Sequence, residues 1–218
     1  MVRPRFHRLP AAQQEAILAA ALEEFSEHGF ARASLNRIIT ASGTSKGSLY
    51  YCFDGKEDLY AHVIRDQIER LLADGGPLPS LEETDADGFW STLEDLYLDL
   101  MRRLIGNPQL SALLRDWLSG ARSPAVGGAQ HEAEHEMLPW LLRTVEAGQR
   151  AGAVRTDIPQ ELIVAVAMGL GQAMDVWLVT RAGAAHDLDD TVHTLMGMLR
   201  SALAPESPGM PARRLGER

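Results

Sequence analysis

Seven residues in one short stretch, Thr44, Ser45, Lys46, Gly47, Ser48, Tyr50 and Tyr51, supply hydroxyls, one ammonium, two phenols and one missing side chain. That set suits a polyanionic surface. Small hydroxyls and Gly47 let the backbone approach closely, and amides at a helix N-terminus attract phosphate. Lys46 adds Coulomb attraction, while Tyr50 and Tyr51 can bond phosphates or touch thymine methyls. A second chemistry is spelled at 131–135, His-Glu-Ala-Glu-His. On a helix it sets His131 and His135 on one face as zinc ligands, with Glu132 as the base of a hydrolase. Its flanks are polar and acidic, no nearby G-x-x-H offers a third ligand, and Pro139 follows one turn later. The motif therefore reads as a solvated helix face. No Ser or Cys nucleophile has a placed base, and no Gly-rich loop cradles a phosphate. No catalytic residue, metal ligand or cofactor is assigned, and the chain reads as a non-enzyme.

The elements that must hold the seven residues are short helices. Ser34 is a good N-cap for a first helix whose Leu35, Ile38 and Ile39 face inward at i, i+3, i+4. Gly43 stops it, as a left-handed residue does cheaply. Thr44 or Ser45 caps the second helix, which sends Leu49 and Phe53 inward. Two short helices around a glycine turn make a helix-turn-helix. A preceding helix over 11–28 carries Ile17, Leu18, Ala21, Leu22 and Phe25 on one face and ends at Gly29. Arg32 and Arg37 flank the first short helix as candidate phosphate contacts. Asp54 to Glu57 spells a D-x-x-E capping box that starts a long helix from Lys56 to about Ala73, long enough to act as a lever. Residues 1–10 are a basic arm, either a DNA contact or a solvated tail.

The pattern resembles the N-terminal domain of TetR-family transcriptional regulators. The resemblance rests on Ile38, Ala41, Gly43, Ser45, Lys46, Gly47, Leu49, Tyr50, Phe53, Lys56 and Leu59, with Ile17, Ala20, Ala21, Phe25, Gly29 and Phe30 upstream. It covers about residues 12–62. Ser42 and Thr44 depart from the usual Ala and Val, and Cys52 stands where a phosphate-touching His or Tyr is common. The resemblance implies DNA-binding residues Ser34, Arg37, Thr44, Ser45, Lys46, Gly47, Ser48, Tyr50, Tyr51 and Lys56, the last as a phosphate-contacting lysine. It also implies an all-α fold, a homodimer, an operator and release by a small-molecule effector.

The net charge of −9 argues against nucleic acid until its distribution is read. Residues 1–53 hold six Arg or Lys against Glu15, Glu23, Glu24 and Glu27, a net of +2, which leaves −11 on the remainder. One end of the chain is drawn to phosphates and the rest repelled. The single cysteine excludes an internal disulfide and fits a reducing cytoplasm. No apolar run approaches the roughly 20 residues of a membrane span, so no membrane partner is expected. The basic N-terminus lacks the apolar stretch of a signal peptide.

Beyond a Gly-, Pro- and acid-rich connection at 74–88, the expected helices are 89–105, 109–120, 126–150, 159–181 and 188–203, about nine in all. Residues 162–179 are apolar nearly all round, and Leu188, Val192, Leu195, Met196, Leu199 and Leu203 form a stripe. Both suggest a four-helix subunit interface. The candidate effector-binding set is Trp90, Tyr97, Met101, Trp117, Met137, Trp140 and Met168, with Gln172 and Asp175 as polar members. The expected division is a DNA-binding domain at 8–55, an effector and dimerisation domain at 56–204 with 56–73 connecting, and a disordered tail at 205–218. Three functions stay open: a ligand-responsive regulator, most simply a repressor; a zinc hydrolase using His131 and His135; and a DNA-binding protein without an effector.

Overall fold

Helical periodicity governs the observed architecture. A computed structural model describes residues 5–77, 79, 81, 84–118, 124–181 and 187–205, with the side chains of all of these but 124–136. The described residues form nine α-helices and one 3-10 turn, Phe6–Arg8, with no strand. The helices are α1 (Ala11–Arg32), α2 (Leu35–Ser42), α3 (Lys46–Cys52), α4 (Lys56–Asp74), α5 (Ala86–Ile105), α6 (Pro108–Leu118), α7 (Pro124–Arg150), α8 (Gln160–Arg181) and α9 (Leu188–Leu203). The expected all-α class and helix order are found. Residues 206–218, expected to be a tail, lie outside the described residues, as do the side chains of His131 and His135.

The chain divides into two compact units. The first comprises Met1–Leu78, Asp99–Met137 and Asp175–Ala185. Its core gathers Ile17 and Phe25 of α1, Ile38 of α2, Leu49 of α3, Leu59, Tyr60 and Val63 of α4, and Leu110 and Leu113 of α6, all fully buried. The ring of Tyr60 is the hub, 4.9 Å from Phe25 and 5.0 Å from Phe30. Removing such a buried ring costs about 3–5 kcal/mol.

The second unit comprises Pro79–Leu98, Leu138–Met174 and His186–Arg218. Within it Phe89 and Trp90 of α5 meet edge to face at 5.3 Å, and the Trp90 indole N–H donates to the Ala153 carbonyl at 3.2 Å. The Arg155 amide donates to the Leu203 carbonyl at the end of α9. His193 and Arg200 of α9 reach Glu94 and Asp87 of α5, at 2.8 and 2.6 Å.

One expectation is corrected. Helix α8 is long and apolar enough to cross a membrane, with a mean hydropathy of 1.8 over its best 18-residue window, of which 28% is buried. Between Glu161 and Arg181 it carries one charge, Asp175, so a near-unbroken apolar run exists after all.

Candidate nucleic-acid interface

Helix α3, the second short helix of the helix-turn-helix and the expected reading helix, is built by its two ends. Gly43 sits between α2 and α3 with φ 64°, a left-handed conformation costly to residues with a Cβ. Ser45 then caps α3, its hydroxyl accepting from the Ser48 amide at 3.0 Å. At the other end the Phe53 amide donates to the Leu49 carbonyl at 2.9 Å while Phe53 buries its ring. Leu49 and Cys52 point inward, leaving Ser45, Lys46, Gly47, Tyr50 and Tyr51 exposed and Ser48 partly so.

The exposed face is aromatic and cationic together. Tyr50 is 44% and Tyr51 53% exposed, high values for phenols in a folded domain. The Lys46 ammonium lies 6.0 Å from the Tyr50 ring centroid. A Cβ at Gly47 would meet only the Ser45 hydroxyl oxygen, at 3.8 Å, so the fold itself does not demand glycine there. The open backbone suits contact with something outside the molecule.

Arg5, expected only as part of a basic arm and not as an individual contact, belongs to this face. Its guanidinium carbon stacks 4.3 Å from the Tyr51 ring centroid. The arm is held by Phe6, which is buried against Phe53 at 5.1 Å and His62 at 4.9 Å. Burying a Phe side chain is worth about 1.5–3 kcal/mol, enough to seat a short segment. The available sequence signal was a lone Phe inside a basic run.

Several expected placements change. Thr44 was expected to face outward, but it is 8% exposed and its hydroxyl oxygen is buried. It precedes the first turn of α3 on the side that packs inward. Ser34 stands at the N-cap of α2 without a side-chain cap bond. Its amide instead donates to Glu24 of α1 at 2.7 Å. The D-x-x-E box does not form either: Gly55 is the N-cap of α4, and the Asp54 amide donates to Asp58 at 3.0 Å.

Two of the expected phosphate contacts have partners within the protein. Arg37 donates through Nε and Nη2 to the Glu24 carboxylate, at 2.5–3.0 Å, and through Nη2 to the Arg32 carbonyl. Glu24 is only 7% exposed; its bond from Arg37 and the Ser34 amide hold its carboxyl below the usual range, against the desolvation that opposes them. Lys56 donates to the Ala31 and Ala33 carbonyls, both at 3.2 Å, with its ammonium 4.7 Å from the Phe30 ring centroid. Both cations therefore fasten the end of α1, where a cation meets unpaired carbonyls favourably. Arg37 keeps an exposed edge.

Under the face, Cys52 is fully buried, and desolvation raises its thiol pKa. A buried neutral thiol is a poor redox sensor. His62 of α4 lies among Phe6, His7 and Phe53, and neither ring nitrogen has a hydrogen-bond partner among the described residues. Burial pushes its pKa down.

The expected effector residues do not share one environment. In the first unit Met101 and Trp117 are buried, Met137 is exposed and Asp175 is half-buried. In the second, Trp90 is buried and bonded, Tyr97, Trp140 and Met168 are half-buried, and Gln172 is exposed. An open depression of about 440 Å³, lined by Glu146, Gln149 and Arg150, includes none of them.

Residues 17–63 match the family described as bacterial regulatory proteins, tetR family. The regulator RutR of Escherichia coli K12 is 39% identical over 83 residues, covering 35% of this chain but only 39% of RutR. The chain also resembles the solved structure of the Bacillus subtilis regulator FadR in complex with stearoyl-CoA. There the TM-score is 0.66 at 19% identity, over 85% of this chain and 97% of that one. The E. coli K12 regulator UidR is 33% identical over 142 residues, which are 65% of this chain and 69% of UidR. With similarity running that far beyond the reading helices, the chain belongs to the TetR family of bacterial regulatory proteins.

Proposed function

We propose that the protein is a transcriptional regulator that binds a two-fold operator as a homodimer, represses from it, and is released by a small apolar effector. The observation that carries this reading is the exposed face of α3, where Ser45, Lys46, Gly47, Tyr50 and Tyr51 stand clear of the fold with Arg5 stacked beside them. Two copies would place these faces in successive major grooves about 34 Å apart. Direct contacts are assigned to Ser45, Lys46, Gly47, Ser48, Tyr50, Tyr51 and Arg5. Ser34, the exposed edge of Arg37 and Lys56 are proposed at the phosphate margin.

The dimer reading is supported by α8 and α9. Leu162 and Trp177 of α8 and Met198 of α9 are exposed large apolar residues, and Val166, Met168, Leu170, Leu195 and Leu199 on the same helices are only half-buried. A second copy of the chain would cover exposed apolar residues of this kind. Burial against a second copy in the cytoplasm accounts for a membrane-like composition without a membrane. FadR holds stearoyl-CoA; at 19% identity that neighbour supports the fold, and the effector of this chain is kept at the class of small apolar molecules. The division into a reading domain at 8–55 and an effector and dimerisation domain at 56–204 belongs to this proposal.

The test is footprinting on DNA upstream of the protein's own gene and of its divergent neighbour. A protected near-palindrome of two half-sites one helical turn apart is the expected result. Protection of no discrete sequence at about 0.15 M salt overturns the reading, because phosphate attraction alone is sequence-blind.

A further inference from the structure

Helix α6 lies in the same compact unit as the reading helices and packs against α1 and α4, with Leu110, Leu113, Leu114 and Trp117 buried. Apolar helix contacts tolerate sliding and rotation by many degrees. Hydrogen bonds do not, since they weaken steeply off axis. One residue of α6 supplies such bonds to both elements that carry the reading helix. Asp116 accepts through one oxygen from the Phe30 amide near the end of α1, at 2.8 Å, and from the Tyr60 hydroxyl of α4, at 2.8 Å.

The surroundings are shaped for that carboxylate. Gly29 breaks α1 with φ 66° and ψ 166°, and the amide just after the break is the one that Asp116 receives. A Cβ at Gly29 would stand 2.9 Å from the second Asp116 oxygen. The glycine is therefore required twice, by conformation and by the approach of the carboxylate. Tyr60 is fully buried, and burial together with the Asp116 bond raises its pKa, so its hydroxyl remains a donor across the physiological range. From this point the contacts continue to the reader. The Phe30 ring lies under the Lys56 ammonium, and Lys56 opens α4 four residues after α3 ends.

We propose that Asp116 is a positioning residue that clasps α1 and α4 to α6, fixes the angle at which α3 is presented, and thereby sets which half-site separation the protein accepts. The proposal rests on the two-headed reading above. A head held only by apolar contacts would swing and accept displaced half-sites. A clasped head pays the mismatch when a half-site moves by about 3.4 Å per base pair.

The experiment uses the full-length chain, with fluorescence anisotropy on the footprinted operator and on versions with one base pair added or removed between half-sites. The wild type is expected to lose at least tenfold on the altered spacings. Asp116→Ala should bind the native operator several-fold more weakly and discriminate spacings threefold or less, with unchanged affinity for random-sequence DNA. Asp116→Asn keeps an oxygen acceptor and should retain most of the discrimination, which a loss of fold would not allow. Should Asp116→Ala fail to fold, Tyr60→Phe decides: it removes one of the two bonds and must relax discrimination part-way. Wild-type discrimination in Asp116→Ala or in Tyr60→Phe overturns the clasp alone. A wild type indifferent to spacing overturns the two-headed reading and the clasp with it.

Discussion

Helices α3 and α8 leave different things exposed. The reading helix spans seven residues and shows water an ammonium, hydroxyls and two phenols, with Arg5 stacked on one of them. Helix α8 spans 22 residues and shows water leucine and tryptophan, at Leu162 and Trp177. Both surfaces face water, and their chemistries call for different occupants. Cations and hydroxyls on an open backbone suit a polyanion. Leucine and small residues on a long helix suit another apolar helix. Damage to one surface should therefore leave the other's partner in place in one direction only. A reader without affinity can still pair, whereas an unpaired reader loses the gain of two linked contacts.

The largest effect should follow from Leu162→Glu. A carboxylate buried in an apolar interface is strongly disfavoured. Sedimentation should then report a species near the chain mass of 23.9 kDa. Operator affinity should fall by roughly 10²–10⁴, the gain from joining two binding events. A dimer that survives the change would move the interface away from this end of α8. Next in size is the reader itself. Tyr50→Ala and Lys46→Ala should each weaken operator binding by roughly 10-fold, about 1.4 kcal/mol. Sedimentation should show the dimer intact, and unchanged affinity at about 0.15 M salt would remove α3 from the groove.

Arg5→Ala should have a smaller effect with a characteristic form. Loss of one phosphate contact per protomer lowers the slope of log affinity against log salt by about one per protomer and weakens binding a few-fold. A slope equal to the wild type's would make the Tyr51 stack purely structural. Phe6→Ala should reproduce the result indirectly, by unseating the segment that carries Arg5.

Which parts of this were legible in the sequence follows from the range of the forces involved. The nine helices were, because apolar periodicity and Gly turns act within one or two turns of chain. The exposure of Lys46, Tyr50 and Tyr51 was legible for the same reason, since Leu49 fixes which side of α3 is inside. The caps were not. A local rule gives Ser34 its own cap and Asp54 a capping box, but Glu24 lies ten residues upstream and takes the Ser34 amide. The same carboxylate engages Arg37, and the carbonyls that hold Lys56 lie at the end of α1. Partners brought together by tertiary packing leave no mark on local spacing. Asp116 is the extreme case, 86 residues from the amide it receives.

The smallest predicted effect also concerns such a junction. His62 sits where the arm, the end of α3 and α4 meet, with Phe6, Phe53 and His7 against its ring. Desolvation is the leading cause of its lowered pKa; Asp66 and Asp58 oppose it, and His7 and Arg65 reinforce it. The folded state therefore binds this proton less readily than the unfolded chain, whose imidazole titrates near 6.5. Stability is full above that value and is lost as pH falls through it toward the folded pKa. Glu24, whose folded pKa is also depressed, adds a loss in the same direction but only in the carboxylate range. Between pH 7.5 and 5.5 the melting temperature should drop by a few degrees, roughly 2–4 °C per kcal/mol for a domain of this size. His62→Leu should remove most of that drop while keeping the apolar contacts with Phe6 and Phe53. If the variant melts with the wild type's pH dependence, the imidazole is reached by water at this junction, and the arm that carries Arg5 is seated less firmly than Phe6 suggests.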